Sequence, residues 1–149
     1  MFFVSVLIFH YFSSTASSWS MIGRKNHYAI VVDAGSSGSR AYLYHWPEEN
    51  TSDLLKIRPL TDAKNEPLVK SVSPGLSSFG EKPEEAFDYI QPLLQFAAEW
   101  IPDEYHKETP LYILATAGMR LIDHEKQTAI LTNVRLGISK NYQFHFPER

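Results

Sequence analysis

The feature that most restricts the fold is a short apolar run that stops abruptly at a glycine-serine turn. Tyr28-Ala29-Ile30-Val31-Val32 is followed at once by Asp33-Ala34-Gly35-Ser36-Ser37-Gly38-Ser39-Arg40. Apolar, mostly strand-favouring residues bounded by turn formers read as a buried strand. Ser39 to Trp46 is rich in aromatic and aliphatic residues and reads as a second strand, with Arg40 at its start. Asp33 to Ser39 is then a tight turn between two strands. A second apolar run, Leu111-Tyr112-Ile113-Leu114-Ala115, ends in the small residues Thr116-Ala117-Gly118. Both turns follow buried strands, which predicts that they share one edge of one sheet.

The chain between and after these runs alternates in character. Leu54 to Ile57 reads as a third short strand, and Ser71 to Phe79, centred on Pro74-Gly75, as irregular structure. Pro83 suits the first turn of a helix and Glu84-Glu85 suit its positive end. Ala86, Ile90, Leu93, Leu94, Ala97 and Trp100 or Ile101 follow at helical spacing, with Pro92 predicting a kink or break and Pro102 the end. Met119 to Ile122 and Glu125 to Leu136 also read as helix, with Ala129, Ile130 and Val134 on one side and Gly137 as the stop. Phe144 and Phe146 alternate as at a strand start. The order of elements is that of an α/β fold.

Composition narrows the function. With 149 residues, 44% hydrophobic and 13% aromatic, the chain suits one domain with a real core. A net charge of −3 leaves no basic stripe for a nucleic-acid backbone, so no nucleic-acid partner is expected. A small polyanion held by backbone N–H groups and a metal remains compatible with that charge. The chain has no cysteine, which excludes disulfides and cysteine-based zinc sites within it. The six histidines form no ligand cluster; His124-Glu125 opens an H-E-x-x-H pattern that Thr128 breaks.

Residues 1–20 contain no Asp, Glu, Lys or Arg, and Phe2 to Phe12 is almost wholly apolar. Small residues from Ser13 to Ser18 follow, so the segment reads as a signal peptide or a signal anchor. The apolar run is shorter than the roughly 20 residues of a bilayer span. A buried strand or core helix is the structural alternative. Asn50-Thr51-Ser52 is a glycosylation sequon and agrees with a lumenal or extracellular setting.

Two constellations carry chemistry. In Asp33–Arg40, Gly35 and Gly38 permit a tight turn with exposed N–H groups, Ser36, Ser37 and Ser39 add hydroxyls, and Arg40 adds positive charge. Asp33 is placed to hold a hydrated divalent cation beside phosphates. No Gly-Lys-Ser/Thr ends the loop, and no helix follows it, so it is neither a Walker A loop nor a dinucleotide fingerprint. In Ala115-Thr116-Ala117-Gly118-Met119-Arg120, small residues at a strand-to-helix junction permit close approach of an anion, with Thr116 as a donor. Taken singly, each constellation is better read as an ordinary tight turn.

Together they resemble the first and second regions of the apyrase family, the nucleoside tri- and diphosphohydrolases. The resemblance runs from about Tyr28 to the end of the last helix and includes Pro74-Gly75-Leu76-Ser77-Ser78-Phe79. Gly38-Ser39-Arg40 and His106-Lys107-Glu108-Thr109-Pro110 are most similar to the endomembrane nucleoside diphosphatases of Golgi and lysosome, which implies the secretory pathway. The resemblance implies an actin-like, sugar-kinase-like (ribonuclease H-like) fold of two lobes. Residues 27–149 would form the N-terminal part of the first lobe, truncated before its last strands and so exposing apolar surface. It further implies that Gly35, Ser36, Ser37, Gly38, Ser39 and Arg40 bind phosphate, that Asp33 orients Ca²⁺ or Mg²⁺ through water, and that Thr116 lines the site near the attacking water. Arg120 matches a motif position. The substrate would be a nucleoside di- or triphosphate.

The family's catalytic glutamate and its second phosphate loop, of Asp-Leu-Gly-Gly type, do not appear in these residues. Glu125 does not match the surroundings of that base. Little or no activity is therefore expected of these residues alone. A non-catalytic nucleotide-binding module or truncated isoform is the alternative, and another actin-like phosphotransferase or polyphosphatase a third.

Overall fold

The computed structural model describes residues 25–48, 54–115 and 118–146. The leader at 1–20, the sequon residue Asn50 and the pair Thr116 and Ala117 lie outside the described residues. The strands are β1 (Asn26–Ala34), β2 (Ser39–Pro47), β3 (Arg58–Pro59), β4 (Val69–Val72) and β5 (Leu111–Ala115). Two helices, α1 (Ala86–Trp100) and α2 (His124–Asn141), accompany them.

The expected α/β lobe is present. One mixed sheet runs β3-β2-β1-β5, with β4 beside the first half of β2. β1 and β2 pair antiparallel from Asn26 opposite Pro47 to Ala34 opposite Ser39. β5 pairs with β1 in parallel, from Ile30 beside Leu111 to Ala34 beside Ala115. The ends of β1 and β5 are therefore level, and both small-residue loops leave the sheet at the same edge.

Alternation along the strands sets the core. Ile30, Val32 and Ala34 of β1, Ala41 and Leu43 of β2 and Leu111 of β5 face the helices and are buried. α1 packs on β2 and β4 through Ile90, Leu93, Leu94 and Ala97, and α2 packs on α1 through Ile130, Val134 and Ile138. Each of the isoleucine, leucine and valine side chains contributes about 1.5–3 kcal/mol on leaving water. On the opposite face of the sheet, Tyr112 and Leu114 remain 47% and 52% exposed.

Several local expectations fail for identifiable reasons. Leu54 to Ile57 is not a strand: pairing with β2 begins only at Arg58 opposite His45, and Leu54 is 90% exposed. The segment read as irregular from Ser71 is strand up to Val72, then a turn and a 3-10 helix at Leu76–Glu81. Pro83 opens a short 3-10 segment, Pro83–Glu85, rather than α1 itself.

Pro92 neither breaks nor ends α1, which is continuous from Ala86 to Trp100. The bond it removes would have reached Asp88, an exposed residue next to solvent. Gly137 does not stop α2. A Cβ at that position would lie 2.1 Å from Cγ of Phe87, so the glycine makes room for a ring of α1. One turn earlier on α2, Asn133 Oδ1 accepts a 2.9 Å hydrogen bond from the Phe87 N–H. That bond satisfies an orphan donor of the first turn of α1, which has no side-chain cap of its own.

Near the end of the described residues, His145 bridges Pro110 in parallel. The Leu111 N–H donates to the His145 carbonyl at 2.9 Å, and the His145 N–H donates to the Thr109 carbonyl at 2.9 Å. The strand start read at Phe144 and Phe146 thus adds to the free side of β5.

Candidate functional site

Three loops meet at the sheet edge where β1 and β5 end. The first is the Gly35–Gly38 turn. Its glycines do not take the left-handed conformation expected of an N–H nest. Gly38 supplies space instead, since a Cβ there would stand 2.7 Å from the Val72 carbonyl oxygen. Ser36 and Ser37 are exposed at the tip.

Asp33 and Arg40 form a cross-strand pair on the outer face, the last but one before the turn. Both are exposed, and neither takes part in an ion pair among the described residues. A carboxylate and a guanidinium are thus presented side by side next to the turn, free to meet a ligand. Ser39 is different: it is buried, and its Oγ accepts a 3.0 Å hydrogen bond from the Tyr89 hydroxyl of α1. The same hydroxyl lies 3.4 Å from the Val72 carbonyl, so Tyr89 ties the end of the turn to both β2 and β4. Burial holds the Tyr89 phenol above its usual range, against the opposing pull of its bond to Ser39.

The second loop follows β5. Thr116 lies outside the described residues, and Gly118 lies within them. A Cβ on Gly118 would stand 3.0 Å from the Cα of Ser36 and 2.4 Å from Oγ of Ser77. The two sequence constellations therefore touch. The expected helix after this loop is only a 3-10 turn, Met119–Leu121, with α2 starting later at His124. One such turn has too few aligned peptides to act as a helix N-terminus toward an anion.

The third loop, residues 73–80, carries no role in the sequence reading. Gly75 packs against the tip of the first, where a Cβ would fall 2.2 Å from the Ser36 carbonyl oxygen and 2.6 Å from that of Gly35. Pro74-Gly75 marks a turn in the sequence, but no local pattern says which backbone that turn meets.

A recess of about 200 Å³ lies behind this third loop, lined by Ser77, Glu81, Leu121, Ile122, Asp123 and Lys126. Lys126 is paired with Glu81, and Asp123 leaves the lining net negative. A phosphate group would be repelled there, which favours the three-loop edge as the anion site. Among the described residues no group of three or more His, Cys, Asp or Glu could cage a metal ion. A cation at this edge would need ligand oxygens and water besides Asp33, a set that suits a hard ion such as Mg²⁺.

The sequence pattern of the GDA1/CD39 (nucleoside phosphatase) family matches residues 21–149. Ectonucleoside triphosphate diphosphohydrolase 4 of Mus musculus is 50% identical over 124 residues, covering 82% of this chain and 20% of that protein. Ectonucleoside triphosphate diphosphohydrolase 7 of Xenopus tropicalis is 48% identical over 126 residues, 83% of this chain and 21% of that protein. Nucleoside-diphosphatase mig-23 of Caenorhabditis briggsae is 42% identical over 142 residues, 94% of this chain and 26% of that protein. The chain thus spans a fifth to a quarter of the length of these relatives. With a family pattern over most of its residues and its two motif loops in contact, the chain belongs to the GDA1/CD39 (nucleoside phosphatase) family.

Proposed function

We propose that this chain is the first phosphate-binding part of a hydrolase that removes the terminal phosphate of nucleoside di- and triphosphates. The observation that carries the reading is the contact between Ser36 and Gly118, which joins two loops distant in sequence into one surface. In this reading Ser36 and Ser37 donate to phosphate oxygens at the exposed tip, together with the N–H groups of Gly35 to Ser39. The buried Ser39 hydroxyl positions the turn through Tyr89. Arg40 balances phosphate charge. Asp33 holds the hydration shell of Mg²⁺ or Ca²⁺, and Thr116 lines the site near the attacking water. When bound, the cation neutralises phosphate oxygens. The lobe is the actin-like one that the family resemblance implies, and positioning and electrostatics supply most of the acceleration.

The uncharged segment 1–20 and the sequon at Asn50 support a lumenal setting in the secretory pathway, Golgi or another endomembrane compartment, with a cleaved signal or a membrane anchor.

The test is phosphate release from UDP, GDP and ATP by the protein encoded by the complete reading frame, with and without Mg²⁺ or Ca²⁺. Metal-dependent release that falls at least a hundredfold (roughly 2.7 kcal/mol of transition-state stabilisation) in Asp33→Ala and Thr116→Ala supports the reading. Release that is indifferent to metal and to both substitutions overturns it.

A further inference from the structure

We propose that the third loop is a working wall of the phosphate site and that the Ser77 hydroxyl is a further ligand of the phosphate group. The inference rests on the reading of the three-loop edge as a phosphate site.

Serine hydroxyls around this edge divide by what they already do. Ser39 is engaged by Tyr89 at 3.0 Å. Ser78 donates to the Gly75 carbonyl at 2.7 Å and so closes its own turn. Ser77 has no hydrogen-bond partner among the described residues. It is half-buried, and its Oγ abuts Gly118, which in turn abuts Ser36. A hydroxyl at the junction of two anion-facing loops, with its donor unspent, is in the same state as Ser36 at the tip.

The loop is also held still. Leu76 is fully buried beside Ser77, Gly75 is seated on the backbone of Gly35 and Ser36, and the Ser78 bond locks the turn. A donor fixed before the ligand arrives loses little freedom on binding. Residues 73–80 carry no charged side chain; Ser77 also borders the recess of Glu81 and Asp123, where Glu81 is paired with Lys126, and phosphate is placed on the Gly118 side of Ser77, not in that recess. Gly118 is required for the same reason: any side chain there would displace the Ser77 hydroxyl from the junction.

The test uses the protein encoded by the complete reading frame with a methylene-bridged, non-hydrolysable UDP analogue and Mg²⁺, followed by ³¹P NMR of the terminal phosphorus resonance, and thermal melting in parallel. The wild-type chain is expected to broaden and shift that resonance. Ser77→Ala and Ser36→Ala should each weaken binding about tenfold, the loss of one hydrogen bond to a charged group. Ser77→Asp should abolish it by like-charge repulsion. Because the Ser77 hydroxyl has no hydrogen-bond partner among the described residues, Ser77→Ala should melt with the wild type. If Ser77→Ala binds like wild type while Ser36→Ala is weakened, the Ser77 role is overturned and the phosphate site stands. If Ser77→Ala weakens binding only in step with a lowered melting temperature, its role is structural and the proposal fails. If the wild-type protein leaves the resonance unchanged at millimolar analogue, the phosphate-site reading falls, and the Ser77 role with it.

Discussion

The hydroxyl of Tyr89 on α1 donates to the hydroxyl of Ser39 at the end of the first loop, across 3.0 Å and 50 residues of sequence. Ser39 is buried, so this bond is made away from water. Removing the donor in Tyr89→Phe leaves Ser39 without its partner and should cost about 1 kcal/mol. Urea melts of Tyr89→Phe, Ser39→Ala and the double variant give the coupling directly. A coupling of about 0.5–1.5 kcal/mol is expected, and strict additivity would contradict the bond's contribution.

Gly137 lies inside α2, one turn before its end at Asn141, where alanine is ordinarily better by about 1 kcal/mol. Here the sign reverses, because an added Cβ meets the Phe87 ring at 2.1 Å. Gly137→Ala should lose about 1–3 kcal/mol by overpacking. In a Phe87→Leu background the same substitution should be much less harmful. Thermal melting of the four chains tests this, and a stabilised Gly137→Ala would refute it.

Tyr28, Tyr89 and Tyr142 all titrate above the ordinary tyrosine range, chiefly because burial disfavours the phenolate. The folded chain therefore holds these protons more tightly than the unfolded one. Stability is whole below about pH 10, the unfolded value, and declines as pH rises through the higher folded values. Urea midpoints measured upward from about pH 9 should fall, and Tyr89→Phe should fall less steeply. Parallel slopes for the two chains would exclude a contribution from Tyr89.

Gly75→Ala places a Cβ 2.2 Å from the Ser36 carbonyl oxygen, a backbone atom that cannot swing aside. The substitution should cost about 2 kcal/mol and push the first and third loops apart. Amide resonances of Ser36 and Gly118 should move while those of α2 beyond Ile130 stay in place. Shifts confined to residues 73–77 would show that the loops are not in register.

The strands β1, β2 and β5 and the two motif loops were legible in the sequence because their signals are local. Apolar runs stopped by glycine and small residues located β1, β2 and β5, and the periodicity of Ala86, Ile90, Leu93, Leu94 and Ala97 located the buried face of α1. What escaped depends on residues far along the chain. Gly137 carries a stop signal that the Phe87 ring overrides, and Pro92 carries a break signal that the continuous helix absorbs. Val69 to Val72 becomes a strand only because the edge of β2 is open beside it. At the site, Asp33 and Arg40 could be named from their motif, but the engagement of Ser39 by Tyr89 and the arrival of the third loop at Ser36 have no local signature.

The parallel pairing of β1 with β5 has a kinetic consequence. The β1–β2 hairpin can form from neighbouring residues alone, on the microsecond scale of such elements. The contact of Ser36 with Gly118 needs closure of a loop that includes β3, β4 and α1, and such non-local closure is slow. During synthesis the first turn is made early, yet the three-loop surface comes into being only after residue 118 has left the ribosome and β5 has docked. A nucleotide that recognises the finished surface then binds folded chains and not nascent ones, and draws the folding equilibrium toward completion by mass action.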